Sequence, residues 1–111
     1  MNEDIEIKMY TLRTDTGYWL GRIVLTSDGS FMSITDYGNY AYSWGGMGNE
    51  DIRDFILRLD IGYFASKMFN GECEISNTQK ARGQAKIFAE KILPPLKEAI
   101  RQEIELEKSK K

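Results

Sequence analysis

Tyr37-Gly-Asn-Tyr-Ala-Tyr-Ser-Trp-Gly-Gly-Met-Gly48 sets four aromatic residues among small and polar ones and then runs into glycines. In an extended chain, side chains alternate between two faces. Tyr40, Tyr42 and Trp44 therefore share one face of a strand, while Ala41 and Ser43 take the other. Beyond the glycines the apolar residues recur at helical spacing, so this stretch divides a strand-forming part from a helical part.

Upstream of it the pattern has period two. Ile5, Ile7 and Met9 alternate with Glu6 and Lys8, and Asp15-Thr-Gly17 separates this run from Tyr18-Trp-Leu-Gly-Arg-Ile-Val-Leu25. Tyr18 and Trp19 are adjacent, so they are expected on opposite faces with one of them exposed. Ser27-Asp28-Gly29 is a hairpin signal, because glycine accepts the positive φ of a tight turn and aspartate tolerates it. Phe31 to Thr35 resumes the strand, and Tyr37-Gly38-Asn39 makes a third turn. The simplest architecture over residues 5–44 is a four-stranded antiparallel meander.

Downstream, Asn49 stands where an N-cap is expected, with Glu50 and Asp51 at the positive end of a helix dipole. Ile52, Phe55, Ile56 and Leu59 form its apolar stripe. Gly62 predicts either one softened helix over 49–69 or two short ones meeting at Asp60-Ile-Gly62, ending at Asn70-Gly71. Glu72 to Ile75 reads as extended, and Ser76 and Gln79 have capping-box spacing for a helix over 77–92 with Ala81, Ala85, Phe88 and Ile92 inward. Pro94-Pro95 predicts a kink or a restart, since proline lacks the amide donor and crowds the preceding turn. A last helix to residue 108 carries only the narrow stripe Leu96, Ile100 and Ile104, suited to weak packing or to a homodimer. The reading is a single α+β domain over 1–111, its sheet covered on one face by two to three C-terminal helices over 49–108.

Composition narrows the chemistry. The chain has no histidine, which removes the usual general base near neutral pH and the commonest transition-metal ligand. Its single cysteine, Cys73, excludes an internal disulfide and a thiolate zinc site, and Glu72 and Glu74 beside it raise the thiol's pKa against nucleophilic use. No catalytic residue, metal or cofactor is assigned, and the expectation is a non-enzyme. A net charge of −2 and a pI near 5.2 give no overall cationic excess for binding phosphates. No apolar run approaches a membrane span, and Met-Asn-Glu-Asp is acidic where a signal peptide would be basic, so a soluble cytoplasmic protein is expected.

Two groups of residues are candidates for contact. Tyr37, Tyr40, Tyr42 and Met47 belong to the aromatic strand and glycine loop, and tyrosine offers large contact area at low entropic cost. The competing reading puts the same face, Trp44 above all, under the helix that begins near Ile52. Lys80, Arg82, Lys86 and Lys91, with Lys97, make the region 80–97 locally basic and supply the alternative reading, nucleic-acid binding. A solvated helix surface explains the same pattern. Gly45-Gly-Met-Gly48 lacks the lysine and glycine spacing of a phosphate loop, and Glu50-Asp51 would repel an anion. Glu50, Asp51, Asp54 and Asp60 read as a solvated helix face and not as metal ligands.

The run Ile34 to Gly48, continued by Asp51-Ile-Arg-Asp-Phe-Ile-Leu-Arg-Leu-Asp60 and Tyr63-Phe-Ala-Ser-Lys-Met68, resembles small proteins encoded by temperate phages and prophages. There an aromatic strand passes through Trp-Gly-x-x-Gly into a helix with Phe-hydrophobic-Leu. The resemblance covers residues 34–68 and carries no site residue. It implies a small accessory protein of a mobile element. The favoured function is accordingly non-enzymatic protein binding, as an inhibitor or modulator of a host, phage or defence protein.

Overall fold

The computed structural model describes residues 4–46, 48, 50–72 and 79–110. The fold is α+β. Four strands, β1 (Ile7–Arg13), β2 (Trp19–Thr26), β3 (Ser30–Thr35) and β4 (Ala41–Ser43), form an antiparallel sheet in the order β1-β2-β3-β4. Three helices follow: α1 (Ile52–Leu57), α2 (Ile61–Glu72) and α3 (Gln79–Ser109). The three strand connections sit where the sequence puts turns. Gly17, Gly29 and Gly38 take φ of 94°, 99° and 123°, conformations in which a Cβ is strained.

Alternation decides what the sheet buries. Tyr10, Leu12, Ile23, Leu25 and Phe31 point to the helical side, and all are buried. Helices α2 and α3 bring Phe64, Met68, Phe88, Ala89, Ile92, Leu96 and Ile100 against them in one cluster. At its centre Phe31 meets Phe64 edge-on at 5.3 Å and Phe88 at 6.4 Å, geometries that suit the charge distribution of aromatic rings.

Several expectations are corrected. Helix α1 begins at Ile52 with Asp51 as its cap, accepting from the Arg53 amide at 2.8 Å, whereas Asn49 lies outside the described residues. Of the two arrangements expected about Gly62, the structure takes the pair of short helices, because Asp60 caps a new start through the Tyr63 amide at 2.7 Å. Helix α2 runs through Asn70-Gly71 to Glu72, so Glu72 is helical; Cys73 and Ser76 lie outside the described residues. Tyr18 and Trp19 are both exposed, since a bulge between Leu12 and Arg13 shifts the register just where β2 begins.

Pro94 and Pro95 lie inside one 31-residue helix, with no restart. The carbonyls deprived of a donor belong to the exposed Glu90 and Lys91, where water can serve them, while buried Ile92, Leu93, Leu96 and Ile100 pin both sides of the gap to one core. The stripe Leu96-Ile100 is thus spent inside the chain, both residues being fully buried.

Candidate functional site

The aromatic strand faces inward. Tyr40 is a core residue, tilted against Phe88 at 4.4 Å, so it is not a surface contact as the sequence suggests. Trp44 is buried too: its ring lies 5.3 Å from Phe55 and its Nε1 donates to the Tyr63 hydroxyl at 3.2 Å. Tyr42 is half-buried, packed edge-on to Trp44 at 4.9 Å with the Lys67 ammonium 5.8 Å from its ring centre. Tyr37 is half-buried beside a cleft whose other wall carries Gln84 and Ile87 of α3. Met47 lies outside the described residues. The reason is simple: alternation says which side chains share a face, and α1 and α2 descend on that face directly after the glycine loop.

The basic residues of α3 are exposed but do not form one surface. At 3.6 residues per turn, Lys80 and Lys91 lie within about 20° of each other around the axis, and about a third to half a turn from Arg82 and Lys86. Arg82 rests on the Phe69 ring at 4.5 Å. Lys97 is engaged elsewhere, donating to the Leu59 carbonyl beyond the end of α1.

The sheet's other face is the surface that sequence reasoning missed. Register places Met9 opposite Val24, Val24 opposite Met32 and Met32 opposite Ala41, one apolar row across all four strands. Ile34 pairs with Arg22 in the next row, and Ile7 flanks Met9. No helix covers them: Ile7 is 65% exposed, Met9 62%, Ile34 62% and Met32 43%. Antiparallel sheets with a solvated face ordinarily carry polar residues there, so an apolar row on it is the informative exception. The row floors a shallow hollow of about 520 Å³ lined by Arg22, Val24, Met32, Ile34, Asn39 and Ala41. Arg13 and Arg22 supply the charge of this face; neither meets a carboxylate among the described residues, and no strand position on this face holds one. The clue lay in Ile7, Met9, Met32 and Ile34, which alternate with the core residues and are as apolar.

An ionic cluster ties the opposite, helical side to the sheet. Arg53 of α1 donates to Glu103 and Glu107 of α3, both at 3.0 Å, and pairs with Asp51 at 3.1 Å. Lys8 of β1 lies 3.7 Å from Glu107 and 3.9 Å from Glu103. Hydrogen bonds from Arg53 hold the Asp51 and Glu107 carboxyls below their ordinary range, and Asp51 in turn raises the Arg53 guanidinium. Burial, reinforced by Glu103, pushes the Tyr10 hydroxyl far above its usual value, so it stays a donor. Every charge here has a partner, and the arrangement is a clamp. Among the described residues no group of three or more His, Cys, Asp or Glu is placed to hold a metal, and no helix is long and apolar enough to cross a membrane.

A sheet closed by helices on one side and left apolar on the other defines a small α+β protein. The sequence profile of the phage family Phage_phiTE_072 matches residues 3–86, three quarters of the chain, spanning the sheet, α1, α2 and the start of α3. The chain belongs to this phage family. Neither a curated protein nor a solved structure matches it.

Proposed function

We propose that this phage protein is a non-enzymatic accessory protein of the cytoplasm that binds another protein through the outer face of its sheet, inhibiting or modulating a host or defence protein. The observation that carries the reading is the uncovered row Met9-Val24-Met32-Ala41. Complete burial of a large apolar side chain contributes about 1.5–3 kcal/mol, so covering Ile7, Met9, Met32 and Ile34 gives a partner ample reason to bind. The partner's chemistry follows from the face: an apolar centre, with carboxylates set to meet Arg13 and Arg22. Protein is favoured over nucleic acid because the basic residues of α3 split into two pairs about a third to half a turn apart and the chain as a whole is acidic.

The test is capture from the native host with the tagged full chain, in three forms: unaltered, Met9→Lys with Met32→Lys, and Lys91→Glu. Exposed positions tolerate such changes, so all three should fold. The reading expects a protein held by the unaltered chain and by Lys91→Glu, with recovery at least about tenfold lower for the Met9/Met32 variant, as loss of central apolar anchors implies. Equal recovery by the face variant, or multiple turnover of a substrate by the pure chain, overturns it.

A further inference from the structure

On the far side of the molecule from the apolar row, α2 and α3 run side by side and leave a groove of about 330 Å³. One wall is a stripe of α2, Ile61, Ala65 and Phe69, each one turn beyond the last. Gly62 and Ser66 beside it keep that wall low. The other wall is cationic: Arg82 and Lys86, one turn apart on α3. Stacking on the Phe69 ring at 4.5 Å fixes the Arg82 guanidinium over the apolar wall and leaves its in-plane N–H groups able to donate. Lys8, Arg53, Arg58 and Arg101 all have carboxylate partners, yet Arg82 and Lys86 have none among the described residues. Among the described residues no carboxylate lines the groove.

We infer that this groove receives an acidic amphipathic helix of a partner protein. The spacing supports a helix as occupant: the lining of α2 extends about 12 Å, some two turns at 1.5 Å per residue, and cations one turn apart match carboxylates one turn apart on a facing helix. Apolar residues of the occupant lie on Ala65 and Phe69, and its carboxylates face Arg82 and Lys86. This contact is separate from the outer sheet face and does not depend on it.

The test uses the full chain and two synthetic peptides of about 15 residues, long enough to hold a helix. Both carry leucines at helical spacing, one with glutamates on the flanking positions and the other with lysines. Fluorescence anisotropy should show the glutamate peptide binding at least about tenfold more tightly than the lysine peptide, and a loss of about tenfold or more for Lys86→Glu, as expected when attraction becomes repulsion. Backbone NMR shifts should move at Ile61, Ala65 and Phe69. Met32→Lys should leave the affinity unchanged, which separates this groove from the sheet face. Equal affinity for the two peptides, no loss in Lys86→Glu, or shifts confined to β1–β3 overturns the inference.

Discussion

The hydroxyl of Tyr10 donates to Oε1 of Glu103 at 2.6 Å, joining residues 93 positions apart. The same oxygen accepts from Arg53 at 3.0 Å, so β1, α1 and α3 meet at a single carboxylate. Tyr10→Phe keeps the buried ring and removes only this bond, while Arg53 continues to satisfy Glu103. Stability should fall by about 1.5 kcal/mol, the low end for a hydrogen bond to a charged group, because the acceptor keeps a partner. Urea denaturation checks it: the midpoint should drop with an unchanged slope.

The clamp also sets an acid limit. The Asp51 and Glu107 carboxyls, held by Arg53, titrate below their ordinary values of 3.8 and 4.5. The folded chain thus binds fewer protons than the unfolded one in that range. The stability they supply is complete above those ordinary values and is lost as pH falls through the lowered ones. Arg53→Gln should be less stable at pH 7, and its melting temperature should fall less steeply between about pH 5 and pH 2 than that of the unaltered chain. Added salt should narrow the difference at pH 7, because Asp51 and Glu107 are solvent-accessible.

Gly21 is needed for space and not for an unusual φ. A Cβ there would stand 2.5 Å from Thr35 Cγ2 and 2.9 Å from the Ile34 carbonyl oxygen, on the strand it pairs with. Gly21→Ala should cost about 1–3 kcal/mol, the usual range for forced overpacking. Adding Thr35→Ser removes the nearest atom and keeps the hydroxyl that accepts from the Tyr37 amide, so thermal unfolding should show a partial recovery.

Pro94→Ala should stabilise the chain. The substitution restores an amide donor to the Glu90 carbonyl in the middle of α3 and alters no buried contact, since Pro94 is exposed. Proline in a helix interior costs about 3 kcal/mol, and the freer unfolded chain of the variant offsets about 0.4–1 kcal/mol of the gain. A rise in stability of about 1–3 kcal/mol, read by urea unfolding, is expected; a fall would mean that the helix bends at Pro94 to fit the core.

Turn chemistry carried most of what could be read of the sheet. Gly29 and Gly38 adopt the conformations their type suggests, and the alternation about them sets strand register. Alternation alone does not say which face is inside. Ile7 and Met9 are as apolar as Tyr10 and Leu12, so hydrophobicity gave no vote, and the helices chose. That choice buried Tyr40 and exposed Met32. The prolines misled for a related reason, since local preference says break, whereas Leu93, Leu96 and Ile100 hold the helix to one core across both. Half-burial of Tyr42 reflects a corner between β4 and α2, and that of Tyr37 the approach of α3, long-range contacts that no short window contains. The cation split on α3 was within reach of helical arithmetic, since Lys80 to Lys91 all lie in the helix expected over 77–92.

The inner surface of the sheet is complete as a pattern by Ser43, but the side chains that roof it arrive much later, ending with Ile100. During synthesis the nascent meander therefore waits for its roof, which α1 and α2 begin and only α3 completes. Once α3 docks, one side is sealed, and the other keeps its apolar row exposed, the surface on which the proposed function rests.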